Sequence, residues 1–98
     1  MVIIKWTEDA RSDFEDIIAY ISRSSVQYAG AFHNKVQDAI EKLTRFPEMG
    51  RRVPESDEKV DREIFIQKYR LIYRYDEKQK IIYILMLIHG SRVLQFKK

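Results

Sequence analysis

Cysteine is absent from these 98 residues and histidine occurs only twice. Disulfides and cysteine zinc sites are therefore excluded, and His33 and His89 alone make a histidine metal cluster an unlikely design. No metal and no cofactor is expected, and a reducing cytoplasm is the compartment that fits. Three glycines and two prolines leave no Gly-rich phosphate loop, and no Ser/His/Asp arrangement stands out. Long apolar runs are missing as well: the longest, Ile81 to Ile88, is far below the ~20 residues a membrane helix needs. The start, Met-Val-Ile-Ile-Lys-Trp, has none of the regions of a secretory signal. The expectation is a soluble cytoplasmic protein with no membrane partner.

What is present is enough for one domain spanning 1–98, near the lower limit of what folds alone. Hydrophobic residues make up 45% and charged residues 34%, a globular balance rather than a disordered one. The charge is divided unevenly. Through residue 50, six Lys and Arg face eight Asp and Glu, a net of −2; after it twelve face seven, a net of +5. Such a basic half serves nucleic acid, an acidic protein segment, or solubility alone.

Val2 to Trp6 is β-branched and aromatic and reads as a strand. Thr7 then offers an N-cap oxygen, with Glu8 and Asp9 placed where the helix dipole favours negative charge. Ala10, Phe14, Ile17, Ile18 and Ile21 recur at the helical period. Ser24, with Gln27 three residues on, forms a capping box for a second helix. Its stripe is Ala29, Phe32, Val36, Ala39, Ile40, Leu43 and Phe46, with His33 beside it, and Pro47 stops it. Two helices joined by so short a turn form an antiparallel pair. Pro47 to Lys59 reads as a loop.

From Arg62 the period becomes two. Ile64 and Ile66 alternate with Glu63, Phe65 and Gln67; Tyr69, Leu71, Tyr73 and Tyr75 alternate with Arg70, Ile72 and Arg74. Gln67-Lys68 and Asp76 to Lys80 are turns. Ile81 to Ile88, apolar on both faces, reads as a central strand covered on both sides. The expected fold is α+β in two layers, β-α-α-β-β-β, a helical hairpin packed on a four-stranded, mainly antiparallel sheet.

Cleaving a phosphodiester without a metal requires a base, an acid, and cations on the developing charge. His89 can titrate near neutrality, while Arg70, Arg74 and Arg92 can hold phosphate oxygens in forked contacts. Period two sets Arg70 and Arg74 on the same side of one strand. The plainer account is that strand arginines cover apolar surface and a histidine at a strand end terminates it. The tyrosines of these strands can stack on bases, although at this spacing they also serve as packing.

The residues also form an ordered set. Trp6 stands before an acidic-start helix with Ala10. Ala29-x-x-Phe32, Phe46-Pro47-x-x-Gly50-Arg51-x-Val53-Pro54-Glu55, Arg62-Glu63, Tyr69-Arg70-Leu71-Ile72-Tyr73 and His89-Gly90-x-Arg92 follow it. Together they resemble the RelE/ParE toxin superfamily of type II toxin-antitoxin systems, over nearly the whole chain. The resemblance implies one of two activities: ribosome-dependent cleavage of mRNA, as in RelE-like members, or poisoning of DNA gyrase without cleavage, as in ParE-like ones. Under the nuclease alternative Arg70, His89 and Arg92 would be catalytic. Where such nucleases carry a lysine-rich strand this chain has Asp61-Arg62-Glu63, an edge expected to repel RNA, and no tyrosine follows Tyr83.

The Gly-Arg-x-Val-Pro-Glu loop, Arg-Glu and His-Gly-x-Arg together look more like ParE. The resemblance then implies a growth inhibitor of the plasmid-stabilization kind, acting on DNA gyrase and neutralised by a cognate antitoxin. Arg62, Arg74, Arg92, Phe96, Lys97 and Lys98 would form its target-binding surface. Assembly with the antitoxin or with further copies is part of that expectation, and a decayed toxin that only binds its antitoxin is the remaining alternative.

Overall fold

Thr7 joins the first strand, the first helix and the last strand at one point. In the computed structural model, which describes residues 1–56 and 60–92, its Oγ1 accepts from the Ala10 N–H at 3.1 Å and so caps the helix. The same hydroxyl lies 3.0 and 3.1 Å from the carbonyls of Ile84 and Leu85. An N-cap side chain that also reaches across to a strand fixes where the helix leaves the sheet.

The strand before it is β1 (Ile3–Trp6) and the helix after it is α1 (Glu8–Ser24). Next come α2 (Val26–Arg45), β2 (Arg51–Arg52), β3 (Asp61–Ile66), β4 (Tyr69–Asp76) and β5 (Ile81–His89). The sheet runs β1-β5-β4-β3-β2, with β1 parallel to β5 and every other pair antiparallel. Both helices lie on one face. Ala10, Phe32, Val36, Ile40 and Leu43 meet Ile66, Leu71, Tyr73, Ile82, Ile84 and Leu87 across that interface. Each Val, Leu, Ile or Phe side chain among them stabilises the fold by roughly 1.5–3 kcal/mol. The periodicities of 3.6 and 2 that mark these residues in the sequence are the ones that put them there.

Four details differ from the sequence reading. Among the described residues the sheet has five strands, because Arg51 and Arg52 of the supposed loop pair with Glu63 and Arg62; two residues carry too little pattern to be seen as a strand. The second helix is capped by Ser25, which accepts from the Tyr28 N–H at 3.1 Å, and Ser24 closes α1. Phe46 is 64% exposed; it caps the C-terminus of α2 with non-helical backbone, which turns it off the buried stripe. And β5 is covered mainly on its helix side, where Ile82, Ile84 and Leu87 are buried, while Tyr83, Met86 and Ile88 on the other face remain partly exposed.

The ladder between β4 and β5 shifts where Ile72 faces Met86 and Tyr73 faces Ile84, leaving Leu85 as an extra residue. Past Ile84 the first strand has ended, and Asp13 of α1 takes its place, accepting from the Leu87 N–H at 3.0 Å. Burial pushes the Asp13 carboxyl above its ordinary 3.8, and Asp9 and Asp16 add to the rise, against the Leu87 hydrogen bond and Arg92. A carboxyl whose pKa is raised by folding stabilises the protein most when protonated, and that contribution is lost as pH rises through the folded value. Asp13→Asn keeps the acceptor without the charge. It is expected to equal or exceed wild-type stability at pH 7, with the advantage gone below pH 3.8; urea titrations at the two pH values measure it. Asp13→Leu, which orphans the Leu87 N–H, is expected to cost about 1–3 kcal/mol at either pH.

Candidate functional site

The helix-free face of the sheet carries the charged cluster that the strand alternation sets up. The two-residue turn at Gln67 and Lys68 fixes the β3–β4 register, with Phe65 opposite Arg70, Glu63 opposite Ile72 and Asp61 opposite Arg74. All six side chains therefore share one face. Gln67 accepts a left-handed φ of 54° to close the turn.

Arg70 is the centre of the cluster, and 5% of its side chain is exposed. Its Nε–H donates to Glu63 Oε1 at 2.8 Å, and Nη2 donates to the same oxygen at 2.5 Å. Nη2 also reaches Glu55 Oε1 at 2.8 Å, while Nη1 reaches Glu55 Oε2 at 2.7 Å and the Arg92 carbonyl at 3.2 Å. A guanidinium has five N–H groups, and each of these has an acceptor. The hydrogen bonds it donates to Glu55 raise its pKa above the ordinary value, opposed by burial and helped by Glu63. The other carboxylate oxygen of Glu63 accepts from Arg51 Nε at 2.5 Å, and the Arg51 guanidinium lies 5.3 Å above the Phe65 ring. Arg51, Glu63, Arg70 and Glu55 thus form two cations and two anions, a neutral unit that tolerates burial because each charge is paired.

A second pair lies alongside, with Arg74 Nε donating to Asp61 Oδ1 at 2.8 Å. Ser56 also donates to Asp61, at 3.3 Å. The acidic edge expected to repel RNA is therefore turned inward: Asp61 and Glu63 are each 1% exposed. Their effect is to occupy arginines rather than to present charge.

Arg62 points to the opposite side and fastens the loop before β2, donating from Nη1 to the carbonyls of Glu48 at 3.1 Å and Gly50 at 2.8 Å. Beside it the buried Tyr73 hydroxyl donates to the Pro47 carbonyl at 2.8 Å and accepts from the Gly50 N–H at 2.9 Å. Burial raises the Tyr73 pKa, against the Gly50 hydrogen bond, and keeps the hydroxyl a donor.

The structure does not gather Arg70, His89 and Arg92 around one point. His89 pairs with Tyr69 and so lies on the helix face, its ring edge-on to Tyr69 with 5.6 Å between centroids. The Ser91 N–H donates to its Nδ1 at 3.1 Å, which leaves the proton of the neutral ring on Nε2. A hollow lined by Tyr20, Ile21, Tyr28, Tyr69 and His89, with Gln67 and Lys68, opens there. Arg70 is on the other face, and Arg92 enters its network through a backbone carbonyl, with the residue itself exposed. Phe96, Lys97 and Lys98 lie outside the described residues. His33, exposed, stacks on Phe14 at 5.5 Å. Among the described residues no group of three His, Cys, Asp or Glu could hold a metal ion, and no helix is long and apolar enough to cross a membrane.

Glu55, Glu63 and Arg51 are members of the Arg70 cluster that the sequence reading left without a role. The signal for Glu63 was available: with a two-residue turn at 67–68, it falls on Arg70's face, one step along. Glu55 approaches from a loop, and no periodicity announces that.

Similarity to known proteins falls on this same architecture. A structure titled as the chromosomal ParDE system of P. aeruginosa matches with a TM-score of 0.72 at 20% identity, covering 93% of this chain and 98% of that one. The RelBE2 complex of Mycobacterium tuberculosis gives 0.61 at 22%, over 90% and 96%. The intact E. coli RelBE complex gives 0.66 at 9%, over 94% and 100%. At such identities the likeness is one of fold. No curated protein matches the sequence significantly. The family model for the ParE toxin of the type II toxin-antitoxin system parDE, however, matches residues 4–94, and on that extent the chain belongs to this family, a toxin of the ParE/RelE type.

Proposed function

We propose that this toxin inhibits growth by acting on DNA gyrase, without cleaving nucleic acid itself, and that a cognate antitoxin neutralises it. The observation carrying this reading is the state of Arg70: every N–H that a nuclease would direct at a scissile phosphate is already bonded within the protein. Catalysis by cations needs donors free to meet the developing charge. The position of His89 across the sheet from Arg70 supports the same conclusion, because an acid or base must lie within hydrogen-bond reach of the group it serves.

The antitoxin partner rests on family membership and on the fold's likeness to chains solved within ParDE and RelBE complexes. The chemistry is suited to it. Exposed Tyr20, Val26 and Tyr28 at the tip of the hairpin, on a chain with a basic second half, fit a partly apolar and acidic segment that orders on binding.

Purified toxin is expected to block supercoiling by gyrase and to leave mRNA intact on translating ribosomes. Cleavage in the ribosome assay with gyrase unaffected would replace the proposal with the endonuclease alternative. Inertness in both, with antitoxin still bound, would make this a decayed copy.

A further inference from the structure

The Arg70 guanidinium meets its two carboxylates from different directions. Glu63 takes the side bearing Nε and one Nη2 proton, from within the sheet, where its side chain is 0% exposed. Glu55 takes the end-on fork formed by Nη1 and Nη2 with both of its oxygens, from a loop, and its side chain is 21% exposed. The end-on fork is the geometry in which guanidinium also receives two phosphate oxygens. Glu63 thus orients the fork, and Glu55 sits where an external oxyanion would.

We propose that Glu55 is an internal stopper: its carboxylate fills a preformed oxyanion seat on Arg70 and thereby keeps this face from binding the phosphodiester backbone of single-stranded RNA. With Glu55 in place the four-residue cluster is neutral. Without its charge the cluster carries +1, and the fork, still aligned by Glu63 and the Arg92 carbonyl, holds at most a neutral occupant that a phosphate displaces. Arg51, its side chain 60% exposed, stands at the other oxygen of Glu63 and adds positive potential along the same face. Little reorganisation is needed, so most of the contact energy would appear as affinity.

The experiment measures binding of a labelled single-stranded RNA oligonucleotide to the full chain at low salt, by fluorescence anisotropy. Wild type is expected to bind weakly. Glu55→Gln is expected to tighten binding by about tenfold or more and to steepen the salt dependence, log K against log salt, by roughly 0.7, as one new phosphate contact on a single strand requires. Glu77→Gln makes the same charge change on the exposed turn after β4 and is expected to leave binding near wild type. Arg70→Lys in the Glu55→Gln background keeps the charge and loses the fork, and is expected to abolish the gain.

Equal tightening by Glu77→Gln, or a gain that survives Arg70→Lys, would reduce the effect to net charge and overturn the proposal. So would a folded Glu55→Gln that binds like wild type. If both Glu55→Gln and Glu55→Ala fail to fold by thermal melt, Glu55 is a clamp and not a stopper, which overturns it too. The gyrase reading is scored separately on wild-type toxin, so neither result decides the other.

Discussion

Arg70→Met is expected to lower the free energy of unfolding by about 3–5 kcal/mol. Methionine preserves much of the length and apolar stem, so the loss is electrostatic. Glu63, with 0% of its side chain exposed, would keep Arg51 on one oxygen and lose both donors to the other. A carboxylate left in that position is far costlier than the pair was favourable. Glu55 suffers less, because its loop position lets water reach it.

The complementary variant separates these two effects. Arg70→Met with Glu63→Leu removes the buried charge along with its partner, and replacing a whole buried pair by apolar groups of similar volume is often close to neutral. Most of the lost stability is therefore expected to return, as read by urea denaturation of wild type, single and double variants. A single variant within about 1 kcal/mol of wild type, the range of an exposed ion pair, would mean that the cluster is solvated after all. The same logic governs growth assays: loss of toxicity in an Arg70 variant reports unfolding first, and says nothing of catalysis unless the melting temperature is unchanged.

The second large effect is expected at Gly50. A Cβ built there would stand 2.7 Å from the Glu63 carbonyl oxygen and 2.7 Å from the Tyr73 hydroxyl. Neither neighbour has freedom to retreat. The Glu63 carbonyl belongs to strand backbone, and the Tyr73 hydroxyl is held between Pro47 and Gly50 on a ring that is 0% exposed. Gly50→Ala is expected to cost about 3 kcal/mol, at the upper end of ordinary overpacking. For a domain of this size that is a fall of roughly 12–24 °C in melting temperature. A circular-dichroism melt checks it. Tyr73→Phe in the Gly50→Ala background removes the hydroxyl clash and leaves those with the Glu63 carbonyl and, at 2.8 Å, the ring carbon Cε1 of residue 73, so the double variant is expected to lose less than the two single costs added together. An alanine variant melting within a degree or two of wild type would show that the loop moves aside freely.

How far the sequence reveals the molecule depends on the range of the interaction. The helices and four of the strands are legible, the helices, β3 and β4 from their repeated period and β1 and β5 from their β-branched or apolar composition, and the Arg70 to Arg74 face follows from alternation alone. The Arg51–Arg52 strand is hidden because two residues hold no period. Phe46 sits at the end of a perfect apolar stripe, yet the chain turns one residue too early for it to be buried. Above all, Asp61 and Glu63 read as surface acids beside a basic strand. Their burial comes from the loop that brings Glu55 over Arg70, a contact across fifteen residues that no local pattern encodes. Residue type alone therefore singles out Arg70 and Arg74, while their state, with the Arg70 donors saturated from inside, is visible only in three dimensions.

The parallel pairing of the first strand with the last has a consequence in time. Ile3 to Trp6 find their partners in Ile81 to Ile84, and Thr7 and Asp13 close their bonds on Ile84, Leu85 and Leu87. On a ribosome, those acceptors and donors emerge 74 to 78 residues after the side chains they meet. Until then the helical hairpin can form, but its apolar stripe has only β3 and β4 to cover it, and the N-terminal strand stays unpaired. Contacts this distant in sequence close late and slowly. The nascent toxin thus carries an uncovered apolar hairpin until β3 and β4 emerge, and acquires its finished surface only once β5 has followed them.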